Sequence, residues 1–159
     1  MPERDDAQVR AAVEQLALVF NDWGFPRMPS RVLITLMAAD EEALTAAQLA
    51  ERLDVSPAAI SGAVRYLGHI GLLQKVPTPG SRRDRYRLPL DPWYEAGSLR
   101  DGYMGQVIAS AGEGVVALGP DSPGGQRLAR MRDFFAFLQG ELGGLLEKWR
   151  AENPPPGAP

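Results

Sequence analysis

The stretch Thr45-Ala-Ala-Gln-Leu-Ala-Glu-Arg-Leu-Asp-Val-Ser-Pro-Ala-Ala-Ile-Ser61 writes two helices and the turn between them. Thr45 followed by Gln48 is a capping box: the hydroxyl accepts from a first-turn amide while the glutamine side chain reaches back to the cap amide. Leu49, Ala50 and Leu53 give the short helix a buried face, and Asp54-Val55 forms its exit. Ser56 is then an N-cap, with Pro57 at the first helical position, where a missing N–H costs nothing. The second helix should run from about Pro57 to Ile70, bury Ile60, Val64 and Leu67, and stop at Gly71, which tolerates a left-handed exit. Its opposite face carries Ala58, Ser61, Gly62, Arg65 and His69.

Beyond that helix, Leu73–Val76 and Tyr86–Leu88 read as short strands joined by Pro77-Thr-Pro-Gly-Ser-Arg-Arg-Asp-Arg85, a connection too long for a tight turn. Loops of this length inside compact domains are usually functional. The whole chain carries a net charge of −3, yet between Arg65 and Arg87 six cations (Arg65, Lys75, Arg82, Arg83, Arg85, Arg87) face the single acid Asp84. Acids gather elsewhere, notably at Asp40, Glu41 and Glu42. Such a chain presents one basic stretch to a polyanion.

Capped helix, turn, second capped helix and basic hairpin together spell a winged helix-turn-helix: a mainly α fold with a small β-hairpin wing. A helix fits a major groove about 12 Å wide, where Ser61 and Arg65 can meet base edges or phosphates. Small Ala58 and Gly62 let the backbone approach, and Ser56 stands at the helix start. Ser81, Arg82, Arg83 and Arg85 are expected to point away from the core, toward phosphates or an adjacent minor groove. Asp84 is expected to orient a neighbouring arginine.

Working outward, Val9, Val13, Leu16, Phe20 and Trp23 step by four and three along a first helix from about Asp5 to Asn21. Gly24-Phe25-Pro26 breaks it, and Pro29 suits the first turn of a second helix carrying Val32, Leu33, Leu36 and Met37 inward. After Pro92, a helix is expected from about Ser98 to Leu118, a break at Gly119–Gly125, and a last helix from about Gln126 to Ala151. There Met131, Phe135, Leu138, Leu142, Leu145 and Trp149 form a heptad seam. Seams this narrow favour another helix as partner, which points to a homodimer built from the end helices. Gly140, Gly143 and Gly144 weaken a helix interior and fit close helix approach. The expected organisation is an N-terminal dimerisation helix and turn (1–28), a DNA-binding domain (29–92), a C-terminal dimerisation region (93–152) and a disordered tail (153–159).

Composition removes other classes. Apolar residues at 45% and charged residues at 23% are ordinary for a folded globular domain of 159 residues. No apolar run approaches the ~20 residues needed to cross a bilayer, and the start of the chain is polar, so a cytoplasmic protein with no membrane partner is expected. Without cysteine no thiolate site can be assembled, and with His69 the only histidine a zinc site is not expected either, nor any other metal or cofactor. Gly112-Glu-Gly-Val-Val-Ala117 meets the loose dinucleotide pattern, but no strand leads into it. A Ser-His-Asp set would need His69, which faces outward on the recognition helix, so no enzyme is expected.

The chain resembles the MarR superfamily of regulators, and within it the GbsR-like branch. The resemblance rests on Leu49–Ser61, on Leu67–Leu73, and on Pro79-Gly-Ser-Arg-Arg-Asp-Arg-Tyr86, where Gly80, Arg82 and Asp84 match a Gly-x-Arg-x-Asp wing. It implies a homodimeric transcriptional regulator of double-stranded DNA, its N- and C-terminal helices intertwined, with a small-molecule pocket between the dimer helices and the DNA-binding part. Trp23, Phe25, Trp93, Tyr94 and Tyr103 flank the elements where such a pocket is placed; they suit either a cage for a choline-type cation or plain hydrophobic packing. A winged-helix module that binds protein instead of DNA is the alternative.

Overall fold

Residues 5–155 are described by a computed structural model, so residues 1–4 and the last part of the expected tail, 156–159, lie outside the described residues. The chain divides into two compact units, Met1–Pro92 and Trp93–Pro159.

In the first unit, Asp5 accepts from the amides of Ala7 and Gln8 and opens α1 (Asp6–Asp22). The helix ends where Gly24 takes φ +104° and Phe25 N–H donates back to the Phe20 carbonyl. α2 (Arg27–Ala38) follows, with Pro29 inside its first turn as read. Ser30 is wholly buried, its hydroxyl donating to the Pro26 carbonyl at 2.9 Å, so burial leaves no polar group unmatched there.

β1 (Leu44–Thr45) leads directly into α3 (Ala46–Leu53), whose start is the expected capping box: Thr45 Oγ1 accepts from Gln48 N, and Gln48 Oε1 accepts from Thr45 N. α3 stops at Asp54 in the left-handed region (φ +51°), with Asp54 N–H bonded to Glu51 and Val55 N–H to Ala50, a Schellman pattern that uses up two end carbonyls. Aspartate is among the few non-glycine residues that tolerate this backbone. α4 (Pro57–His69) starts on the Ser56 cap with Pro57 in the first turn. It ends in the same way at Gly71 (φ +79°), where Leu72 N–H reaches the Leu67 carbonyl.

The core of this unit is made of Val32, Leu33, Leu44, Leu49, Ile60 and Leu67, each fully enclosed. Burial of one such side chain stabilises by roughly 1.5–3 kcal/mol. α2, α3 and α4 therefore meet around the apolar positions that the sequence marks as inward.

The wing departs from expectation in two ways. Its strands are β2 (Gln74–Val76) and β3 (Arg85–Arg87), so Arg85 belongs to a strand and not to the loop. A third strand is also present: β1 pairs antiparallel with β3, Leu44 opposite Tyr86 and Thr45 opposite Arg85, giving the order β1-β3-β2. Two residues are too few to show an alternation, and β1 exists because β3 offers it a free edge.

The second unit is a pair of antiparallel helices, α5 (Pro92–Leu118) and α6 (Pro123–Glu152). α5 begins six residues before the expected Ser98, since Gly97 does not break the helix. It faces Leu146, whose methyl would lie 2.9 Å from any added Cβ. Gly114 stands in the same relation to Leu128 at 2.6 Å, so at these two positions α5 carries glycine where α6 packs close to it. The break is confined to Gly119–Ser122. Ser122 caps α6, and a Cβ on Gly125 would sit 2.0 Å from the Gly119 carbonyl oxygen, which only glycine permits. The dinucleotide-like Gly112–Ala117 lies within α5, with no strand before it.

Candidate nucleic-acid interface

The outward face of α4 carries Ala58, the adjacent pair Ser61 and Gly62, and Arg65, all exposed, with steps of three or four residues from the pair to either side. No heavy atom lies within 4 Å of where a Gly62 Cβ would stand. Ser56 is engaged as the cap, its Oγ accepting from Ala59 N at 3.3 Å, which leaves its hydroxyl hydrogen and one lone pair for other partners. The turn that leads into α4 is tied to the helices before it: Arg31 on α2 grips Glu14 of α1 through Nε and Nη2 and also donates to the Leu53 carbonyl, at the end of α3, at 3.1 Å.

The wing tip is shaped by Thr78-Pro79-Gly80-Ser81. Ser81 N–H donates to the Thr78 carbonyl at 3.1 Å and Gly80 takes φ +74°, the pattern of a type II turn with proline and glycine at its centre. Ser81 Oγ then accepts from Arg83 N at 3.0 Å. Ser81, Arg82 and Arg83 are exposed, and among the described residues neither Arg82 nor Arg83 has a side-chain partner.

The remaining hairpin cations are engaged. Lys75 Nζ lies 2.8 Å from Asp84 Oδ2, and this hydrogen bond and charge raise the ammonium pKa above its ordinary value. Asp84 thus pairs with a lysine across the hairpin and not with an arginine, because the register sets Lys75 opposite Tyr86, two residues after Asp84. Arg87 bonds Glu42 at 3.0 Å and Gln74 at 3.2 Å. Arg85 is half-buried and its Nη2 donates to the Ala43 carbonyl at 3.1 Å, so it is not directed away from the core as expected.

Of the aromatic candidates, Phe25 stacks edge-on against Phe20 and Tyr66, both at 5.8 Å, and Trp23 meets Phe20 at 6.1 Å. In the second unit the guanidinium of Arg150 lies 4.3 Å from the centre of the Tyr94 ring, while Trp93 and Tyr103 are exposed. A cleft of about 600 Å³ in the first unit involves neither Trp23 nor Phe25. Its lining mixes apolar Val9, Val13 and Leu53 with charged groups, among them Arg10, Glu14 and Arg31. Sequence reading missed this cleft, because its lining comes from three helices and no local pattern marks it.

Comparison with known proteins covers both units. A family model of the MarR family matches residues 23–84, and one of MmpR5-like MarR family transcriptional regulators matches residues 91–152. Both models are of the MarR family, and between them they span most of the chain, so it is similar to the winged-helix transcriptional regulators of that family along both units. Its similarity to the HTH-type transcriptional regulator MmpR5 of Mycobacterium tuberculosis is 28% identity over 138 residues, 86% of this chain and 84% of that one. A crystal structure of a transcriptional regulator superposes with TM-score 0.82 at 27% identity, covering 91% of this chain and 99% of the other. MarR-family regulators are winged-helix DNA-binding proteins and not enzymes, in keeping with the exposed polar face of α4 and the basic wing tip. Among the described residues no helix is long and apolar enough to cross a membrane.

Proposed function

We propose that this chain is a MarR-family regulator that binds a roughly palindromic duplex operator as a homodimer, with α4 in the major groove and the wing tip on the backbone. The observation that carries this reading is the division of labour among the hairpin cations. Lys75, Arg85 and Arg87 are tied to protein partners, whereas Arg82 and Arg83 stand exposed at the tip without any. Arginines held out in this way neutralise phosphates and give affinity; Ser61 and Arg65 on α4 supply choice of sequence. A protein-binding module without DNA affinity has no use for that arrangement.

The homodimer is supported by apolar surface that one chain leaves uncovered. On α6, Phe134, Phe137 and Leu145 are 56%, 64% and 63% exposed, and nothing lies within 4 Å of a Cβ placed on Gly140, Gly143 or Gly144. An exposed face of this kind is covered by a partner in a stable protein. The GbsR-like resemblance rests on residues of the winged part, whereas the C-terminal helices match the MmpR5-like model. For a small-molecule effector, the support is the aromatic pair Trp93 and Tyr103, both exposed on α5.

Footprinting on fragments enriched from random DNA tests the reading. Two protected half-sites about 34–36 Å apart, bound by two chains, are expected. Protection of one isolated half-site by a single chain overturns it.

A further inference from the structure

We propose that Arg85, which sequence alone places among the DNA contacts, is a positioning residue that fixes the root of the wing to the segment joining α2 to β1. The inference rests on the reading of the wing tip as the phosphate-binding element. Arg85 stands opposite Thr45 in the β1–β3 ladder, and its guanidinium passes back to the Ala43 carbonyl, 42 residues earlier in sequence. Ala43 is only 6% exposed, so its carbonyl has little access to water and depends on this donor.

Arg87, two residues on and hence on the same face of β3, turns the same way and bonds Glu42. Glu41 of the same acidic run bonds Arg52 near the end of α3. One short segment, 41–43, therefore holds both the helix before the turn and the central strand of the wing. Arg82 and Arg83 precede Arg85 by three and two residues. Their reach toward a phosphate depends on where that strand is anchored, and the anchor also fixes the wing relative to α3. The acidic run, which on charge alone opposes DNA, is the frame on which the basic tip is mounted.

The test is a double-mutant cycle on the full-length protein. The wild type, Arg85→Ala, the double variant Arg82→Ala/Arg83→Ala and the triple variant are titrated over a salt series, by fluorescence anisotropy, against one duplex enriched from random DNA by the wild type. Alone, Arg85→Ala is expected to weaken binding by about tenfold, the scale of one lost charge-assisted hydrogen bond. In the background lacking Arg82 and Arg83 it is expected to change neither affinity nor salt slope, since nothing remains for it to position.

If Arg85→Ala weakens binding further in that background and reduces the slope by about 0.9, Arg85 is a phosphate contact and the inference fails. It fails too if the single variant binds as the wild type does. A double variant with wild-type affinity removes the reading of the tip, and the inference with it. Thermal melting of each variant separates misplaced wings from unfolded chains. Should the alanine variant not fold, Arg85→Met, which keeps the aliphatic stem, goes through the same cycle.

Discussion

Lys75 Nζ lies 2.8 Å from Asp84 Oδ2, closing the base of the wing between its two sides. Because the pairing raises the lysine pKa, its contribution is fully present below the unfolded lysine value and is lost only as pH rises through the higher folded value. Between about pH 6 and pH 9 the ammonium stays charged in both states. The difference in melting temperature between the wild type and Lys75→Ala is therefore expected to be constant over that range. A difference that shrinks steadily from pH 6 to pH 9 would show that another group controls the base of the wing.

Two glycines on and after α4 should behave oppositely. Gly71 takes φ +79°, so Gly71→Ala is expected to destabilise by about 1–2 kcal/mol in a denaturant titration. Gly62 is an exposed helical residue with open space around it, so Gly62→Ala should stabilise by about 0.5–1 kcal/mol. The same Gly62→Ala is expected to weaken DNA binding, since its methyl stands between the helix and the groove. Unchanged or tighter binding would move the DNA away from this face.

Arg65 should act on sequence choice. Arg65→Ala is expected to cost about 1–3 kcal/mol on the preferred duplex and clearly less on random DNA, narrowing the gap between them. An equal loss on both duplexes would make Arg65 one more phosphate contact.

The uncovered face of α6 can be tested in solution. Phe137→Glu combined with Leu145→Glu is expected to convert the dimer to a monomer in sedimentation experiments while leaving the helical content intact. A wild-type chain that sediments as a monomer at tens of micromolar (a scale at which weak self-association is already seen) contradicts the dimer.

Much of the first unit was legible because its signals are local. The Thr45 capping box, the Ser56-Pro57 start and the Gly71 stop each depend on residues within a few positions of one another, and all three form as read. What escaped needs long-range register. β1 is a strand only because β3 lies beside it. Asp84 meets Lys75, and Arg85 meets Ala43, through pairings that no window of sequence contains. Gly97 lies before the helix start expected at Ser98, yet in the fold it is inside α5 and makes room for Leu146. The basic stretch therefore showed where the charge lies but not which charges the protein keeps for itself.

The most direct test of the proposed interface is the salt dependence of duplex binding by the wild type and by Arg82→Ala/Arg83→Ala. Each phosphate neutralised on B-DNA contributes about 0.9 to the slope of log affinity against log salt, so loss of both arginines should lower its magnitude by about 1.8. Weaker binding with that change in slope is the predicted result. An unchanged affinity and slope would contradict the assignment of the wing tip to the DNA backbone.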